Sequence, residues 1–435
     1  MKDSGQQSLG PIRLAAGVMP RHVLCYLFAA FVSIGLFTYF TALTPYLLRV
    51  NLGLPQAEHG RVSGDLQFWQ EIVLLVTIGL WGAASDRIGR RAVYIAAFLV
   101  MALGYGLYAF AGTVGQLLAW RIVIGVGIAG AAAMLSTIIA DYPDDGSRGK
   151  LTGIAFFLNG IGAVLFFVGL TRLPQMFEAR GSSELLAGHY AFLVVTAIAL
   201  LAGLVMLGLK PGRPDSAAAR TPLLRLLAEG VTAAARAPRI ALCYGSAFAA
   251  RADMAIITLF ITLWVTQAVA DTSLSATQAA AKAGQVVGIV QGASLLWSPV
   301  FGFIADRMNR ITVLIVGFLM AAIGYGWVAV IEDPTAPAAI PALLVLGIGQ
   351  GSAILASTLL LSQEAPAHIR GSVFGLQSFC GALGIMAISA GGGRLFDSVG
   401  PSAPFVAVAV ANGLVCLWAV ALRAVERRQQ ATAPA

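Results

Sequence analysis

The chain has 435 residues, 58% of them hydrophobic and 11% charged, with a formal net charge of +8. Soluble domains carry about 25% charged residues, so a chain this apolar is suited to a bilayer rather than to water. Long unbroken apolar runs, such as 240–250 and 311–329, exclude the period-two alternation of a transmembrane β-barrel and argue helices.

One spanning helix needs about 20 apolar residues. Residues 1–21 are mixed and polar and read as a tail, without the pattern of a cleavable signal. Six spans follow, at 22–48, 63–84, 92–112, 116–140, 150–171 and 189–209, and form an N-terminal bundle over 22–209. Residues 210–240 are the longest polar stretch, with Pro211, Pro214, Pro222 and Pro238, and read as a linker. Inside it, 222–236 sets Leu223, Leu224, Leu226 and Leu227 among Arg225 and Arg236, the pattern of a short amphipathic helix on a membrane face. Six more spans, at 241–268, 283–304, 311–331, 339–361, 371–392 and 403–423, form a C-terminal bundle over 241–423, and 424–435 is a second tail.

Basic residues orient these spans. With the N-terminus in the cytoplasm, the inner segments collect most of the Lys and Arg, from Lys2 and Arg13 through Arg87, Arg90, Arg91, Arg148, Arg213, Arg220 and Arg239 to Arg427. The outer segments hold only Arg49, Arg61, Arg172, Arg180, Lys282 and Arg394. Both termini are therefore expected inside, and the net charge is accounted for without nucleic acid. Cys25, Cys243, Cys380 and Cys416 lie in apolar stretches without CxxC spacing and read as small core residues. His22, His59, His189 and His368 sit at predicted helix ends or loops, outside any metal-ligand pattern.

The two halves repeat. Gly82-x-x-Ser85-Asp86-Arg87 returns as Gly302-x-x-Ala305-Asp306-Arg307, and Gly104-Tyr105-Gly106 as Gly324-Tyr325-Gly326, both at an offset of 220. Gly125-x-Gly127 returns as Gly347-x-Gly349, and Arg148-Gly149 as Arg370-Gly371, both at 222. Duplicated bundles of this kind are how many transporters are built.

The segment Gly82-Ala83-Ala84-Ser85-Asp86-Arg87-Ile88-Gly89-Arg90-Arg91, after the second span, resembles the most diagnostic motif of the major facilitator superfamily, with Ala84 where that pattern often has leucine. Gly302–Arg310 is a worn second copy with Asn309 in place of the glycine. Arg121-x-x-x-Gly125-x-Gly127, Asp141-x-Pro143…Arg148-Gly149 and Glu364-x-Pro366…Arg370-Gly371 resemble further motifs of that family. The resemblance covers essentially the whole chain. It implies an all-α integral membrane fold of two six-helix bundles working by alternating access. It also implies a cytoplasmic gate at Gly82, Asp86, Arg87, Gly89, Arg90 and Arg91, echoed by Asp306 and Arg307. Asp86 is expected to meet the positive N-terminal end of another helix. Arg90 and Arg91 either join that latch or merely anchor the helix at anionic headgroups.

Ionisable residues at bilayer depth cost about 2.5–3.5 kcal/mol on insertion scales, so each needs a reason. Arg121 falls in the fourth span, where the family motif assigns substrate binding or proton coupling; its repeat partner is Leu343. The alternative is an interfacial arginine snorkelling beside Trp120. Gln67, Gln70 and Glu71 share one face of the second span, and Glu71 is the candidate coupling carboxyl unless the outer surface solvates it. Arg251 and Asp253 lie mid-way along the seventh span and, two residues apart, point to opposite sides. Arg251 is expected to share a stripe with Thr258 and Thr262 and to take an anionic group. Asp253 is expected to pair with another helix, as proton carrier or structural partner.

No GxxxxGK[ST] run and no HExxH helix is present, which argues against an ATP-driven pump or a membrane enzyme. Residues 159–163 lack the proline of the efflux antiporters' glycine-proline motif, and 210–214 lack the sugar porters' proline-glutamate-serine. The expected function is proton-coupled secondary transport of a small anionic or polar organic solute by a monomer in a bacterial plasma membrane, with no cofactor and no metal. Proton-driven export of amphiphilic drugs is the second reading, and a transport-dead receptor or scaffold the third.

Overall fold

A computed structural model of the chain describes residues 7–212, 223–269, 274–366 and 369–432. Lys2, Arg213, Pro214, Arg220, Pro222 and His368, read above as tail, linker or loop residues, lie outside the described residues. Among the described residues, twelve helical segments are long and apolar enough to cross a membrane. Ahead of the linker they are α1 (Pro20–Val50), α2 (His59–Ile88), α3 (Arg90–Tyr108), α4 (Val114–Asp141), α5 (Arg148–Leu170) and α7 (Glu184–Val205), with a short α6 (Leu173–Glu178) after α5. The linker helix α8 runs Leu223–Arg236. The seventh span is α9 (Pro238–Ala255), one stretch of π-helix at Ile256–Phe260, and α10 (Ile261–Ala268). Five spans follow: α11 (Ala276–Ala305), α12 (Arg310–Ala329), α13 (Ile340–Glu364), α14 (Arg370–Ser398) and α15 (Ala403–Thr432). The predicted spans are all present, most of them longer than predicted; the π-helical stretch and α6 carry no periodicity signal and were not expected.

Local chemistry sets several ends. Thr113 and Ser183 accept bonds from Gln116 N and Leu186 N at the starts of α4 and α7. Gly89, at φ 96, makes the sharp break between α2 and α3, a conformation that favours glycine. The equivalent turn between α11 and α12 has Asn309 at φ −60, with its side chain accepting from Ile311 N at 3.0 Å. An N-cap replaces the positive-φ glycine there, which is why the second motif copy survives without it.

The chain forms two compact units. One contains Met1–Pro55, Trp69–Ala218 and Thr272–Gln285; the other contains Gln56–Phe68, Ala219–Asp271 and Val286–Ala435. Helices α2 and α11 are each divided between them. In lipid the hydrophobic effect does not draw helices together, so close packing must, and small residues permit it. The repeated glycines do this in both units. A Cβ on Gly104 would lie 2.5 Å from Ile124 Cγ1, and one on Gly324 2.8 Å from Leu346 Cα. A Cβ on Gly127 would meet Met101 Cγ at 2.4 Å, and one on Gly349 would meet Ala321 Cα at 2.6 Å. Gly162 on α5 and Gly384 on α14 are tighter still, 1.7 Å from Phe31 O and 2.0 Å from Phe248 O. The internal repeat is thus a repeat of backbone crossings. Gly302 does not follow it: the nearest atom to a Cβ there is Leu355 Cδ2 at 3.8 Å, an ordinary contact.

The N-terminal segment is structured. Ser8–Leu9 and Ile12–Arg13 pair as a small antiparallel hairpin around Gly10, at φ 55. It seats on the α4–α5 loop: Arg13 N donates to Ser147 Oγ at 2.9 Å, and Lys150 Nζ to Pro11 O at 3.1 Å. Ile12 of the hairpin, and Leu14 and Val18 after it, are buried. An even number of crossings, four, separates this tail from that loop, as contact between them requires. In the other unit, Arg239 at the head of α9 holds Glu364 at 2.7 Å and Glu426 at 2.7 Å, joining the ends of three helices.

Replacing Gly384 by Ala forces α9 and α14 apart and is expected to lower the unfolding temperature, overpacking of this kind costing about 1–3 kcal/mol. Gly326→Ala, where nothing lies within 4 Å, should leave it unchanged. Thermal unfolding of the two purified variants checks this.

Candidate functional site

Arg121 lies within the fourth span, and its side chain is 0% exposed. It does not snorkel; neighbouring helices supply its partners. Nε donates to Gln70 Oε1 at 3.1 Å, Nη1 to Thr44 Oγ1 at 3.0 Å and to Tyr108 Oη at 3.3 Å, and Nη2 to Thr41 Oγ1 at 3.2 Å. The guanidinium also sits 4.6 Å from the Phe40 ring centroid. Helix α1 provides Phe40, Thr41 and Thr44, one turn of it, just before Pro45. Pro45 has no N–H to give the Thr41 carbonyl, so this turn is richer in acceptors than an ordinary helix. Gly125, one turn along α4 from Arg121, leaves room for Gln70, whose Cγ would be 3.3 Å from a Cβ there. The spacing Arg121-x-x-x-Gly125 is therefore that of a cation and the gap that admits its partner.

Glu71 is 7% exposed and lies within electrostatic reach of the Arg121 guanidinium. Gln70 is buried beside it and Gln67, one turn earlier, is half-buried. Sequence reasoning placed Glu71 and Arg121 on separate grounds; the fold brings them together. It missed Thr41 and Tyr108 as partners of the arginine, although an unbroken tyrosine-rich α3 beside a buried cation was a signal.

Arg251 and Asp253 do point apart. Arg251 is exposed, with its stem over Gly381, where a Cβ would meet Arg251 Cγ at 2.6 Å. The expected stripe with Thr258 and Thr262 does not form: Thr262 is buried and its hydroxyl donates to Thr258 O at 2.9 Å. The π-helical stretch between them turns the later residues out of phase. Asp253 is 0% exposed and accepts from Asn412 Nδ2 on α15 at 2.9 Å. Its partner is an amide on another helix, 159 residues away, not a charge.

In the loop after α2, the cation that organises the motif is Arg90 rather than Arg87. Its guanidinium bonds Asp86 Oδ1, Ser85 Oγ at 2.7 Å and Asp141 Oδ2 at 2.9 Å. Ser85 Oγ in turn donates to Gly82 O at 2.8 Å. Arg87 is exposed and Arg91 half-buried. In the second copy, Asp306 pairs with Arg310 at 3.5 Å, while Arg307 lies 3.5 Å from the Phe303 ring centroid. Asp306 is 74% exposed on its side chain, so this pair is weak.

Further carboxylates, not singled out from sequence, meet the starts of α2 and α11. Asp397 on α14 accepts from Gly60 N at 2.9 Å and Arg61 N at 2.6 Å. Glu178, just after α5, accepts from Ser275 Oγ at 2.9 Å and from Thr277 Oγ1, and Glu184 accepts from Ala276 N at 2.9 Å. One arrangement thus occurs twice, at equivalent helix ends.

Twelve spans, a duplicated set of glycine crossings and the Arg90-centred turn after α2 are a family's joint signature. The family model described as Major Facilitator Superfamily matches residues 25–389. The chain belongs to that superfamily. Among curated relatives, the magnetosome protein MamH of Paramagnetospirillum magneticum is 28% identical over 417 residues, covering 94% of each chain. MamZ of the same organism is 28% identical over 88% of this chain, which spans only 60% of MamZ. The human chromaffin granule amine transporter is 30% identical over 243 residues, 55% of this chain and 42% of that one. Among solved structures, the nucleoside transporter NupG matches with TM-score 0.68 at 17% identity, covering 93% of this chain and 99% of NupG. The D-xylose-proton symporter matches with TM-score 0.67 at 18%, covering 92% and 97%. These two likenesses establish the major facilitator fold. The chain is a multi-pass membrane protein of that fold.

Arg90→Ala removes the ion pairs to Asp86 and Asp141 and a bond to buried Ser85. Loss of charge-assisted bonds at a part-buried site costs about 1.5–3 kcal/mol. A lower unfolding temperature is expected for Arg90→Ala and an unchanged one for Arg87→Ala.

Proposed function

We propose that the chain moves a small anionic or polar organic solute across a bacterial plasma membrane by proton-coupled alternating access, as a monomer with both termini cytoplasmic. The observation that carries this reading is the fully buried Arg121 within the influence of Glu71. A buried cation with one carboxylate at hand is balanced only while that carboxylate is charged. Protonating Glu71 unbalances Arg121, so proton binding there must be met by a rearrangement of the helices that hold the arginine. Such a dependence is what coupling requires.

Arg121 itself is a poor ligand for solute in this conformation. Its N–H groups are committed to Gln70, Thr44, Tyr108 and Thr41, and an anion would have to displace them. Arg251, with an exposed head, is assigned the anionic group of the solute. Gly82, Asp86, Gly89 and Arg90 are assigned to the cytoplasmic gate, with Arg87 and Arg91 at its rim, and the weaker turn of Asp306 and Arg307 is assigned the same role in the other unit.

The 30% identity with an amine transporter favours a second reading, export of lipophilic cations. A thermal-shift screen of metabolites and drugs separates the two, since a ligand at a hundred times its Kd stabilises by about 2.7 kcal/mol. Organic anions that stabilise the wild type but not Arg251→Ala support the anion reading; lipophilic cations that stabilise both proteins replace it with the amine reading.

In proteoliposomes, Glu71→Gln should abolish uphill accumulation driven by a proton gradient and spare solute exchange. Survival of both activities would remove Glu71 from the coupling role. Loss of all flux with ligand binding intact in the wild type would instead favour a receptor.

A further inference from the structure

Asp253 and Asn412 are both completely buried, on α9 and α15 of one unit. Asn412 Nδ2 donates to Asp253 Oδ1 at 2.9 Å. The other oxygen of each residue, Asp253 Oδ2 and Asn412 Oδ1, is buried with no hydrogen-bond partner among the described residues. An ionised carboxylate with a single neutral donor at this depth is among the most costly arrangements a membrane protein can hold. Two orphaned acceptors on residues already joined by one bond are instead the signature of a missing hydrogen.

We infer that Asp253 is a proton-binding site, carrying its proton on Oδ2 and donating it to Asn412 Oδ1, so that the two side chains close a cyclic carboxylic acid–amide pair. One proton satisfies both orphaned atoms and leaves no net charge in the interior. The ring uses one O–H donor and one acceptor of the acid, and one N–H donor and the acceptor of the amide. A metal cation suits the place less well, because the Asn412 N–H already points into the pair.

The surroundings are consistent with a neutral acid. From α12, Tyr325 Oη donates to the backbone carbonyl of Asp253 at 3.0 Å, not to its carboxyl. On α15, Cys416, one turn beyond Asn412, gives its thiol to Ile315 O at 3.6 Å. On α9 itself, Arg251 turns away, its guanidinium 3.9 Å from Met254 Sδ. The acids at the helix ends, Glu364 from α13 and Glu426 from α15, are held by Arg239. From α14, Gly384 brings only backbone against α9, at Phe248. The π-helical stretch begins three residues after Asp253, a local widening found often at functional sites.

When the proton leaves, Oδ2 and Oδ1 become two acceptors with nothing to share, and α9 and α15 lose one of the bonds between them. Proton occupancy is thereby tied to the packing of the seventh and twelfth spans. Its use in transport rests on the coupling reading above; the acid–amide pair does not.

The test is infrared difference spectroscopy of the full-length protein in lipid at pH 7, in H2O and D2O. The wild type should show a carboxylic-acid C=O band that shifts in D2O and is lost in Asp253→Asn. That variant should fold, because asparagine can close the same ring with Asn412. In Asn412→Leu the band should persist but move to higher frequency as its hydrogen bond is lost. Absence of any band removed by Asp253→Asn, with no shift in Asn412→Leu, means Asp253 is ionised and overturns the inference. A wild-type band abolished by sodium chloride, but not by potassium chloride, at constant pH also overturns it, in favour of a sodium site. The expected loss of the band in an Asp253→Asn protein that still accumulates solute on a proton gradient would uphold the proton site and detach it from coupling.

Discussion

Backbone-to-backbone approach is the constraint on which both units depend. Lipid tails are as apolar as leucine, so helices gain nothing by hiding apolar side chains from them. What remains is contact, and contact is closest where the side chain is absent. Gly104, Gly127 and Gly162 do this in one unit, and Gly324, Gly349 and Gly384 in the other. Once helices are this close, the positions of the remaining side chains follow with little freedom. That precision is what lets four bonds from three different helices converge on Arg121.

The same solvent governs the polar groups. With no water at depth, each charge must find its complement inside the protein. Three solutions are present here. Arg121 is ringed by neutral acceptors with a carboxylate nearby. Arg239 is balanced by two carboxylates at helix ends. Asp253 is offered an amide. They differ in the partner on offer: Arg239 has two carboxylates, Arg121 neutral acceptors with one carboxylate nearby, and Asp253 an amide.

Much of this was legible in the chain. A run of 20 apolar residues has one meaning in a membrane protein, so all twelve spans were found, and repeated glycines marked the crossings before their contacts were known. Within the site the limits are instructive. Arg121 could be placed at depth but not told apart from a snorkelling arginine, because its shell comes from α1, α2 and α3. Arg87, Arg90 and Arg91 are equivalent as letters; the positive φ at Gly89 sets α3 off in the direction that swings Arg90 back to Ser85 and Asp86. The Thr258–Thr262 stripe failed because a π-helical stretch leaves no trace in composition. Asn412 could not be paired with Asp253 at all, since one amide among several carries no address.

The N-terminal hairpin bears on how the protein is made. Synthesis starts at this end, yet Arg13 meets Ser147 only when 134 further residues have been added. Ala16 waits 194 residues for the Lys210 ammonium. While the first four helices thread into the bilayer, the hairpin that will clip their loop waits on one side. The clip can close only after the α4–α5 loop has arrived on the same side as the tail. A helix that failed to cross would leave the loop on the far side, and the hairpin with nothing to hold.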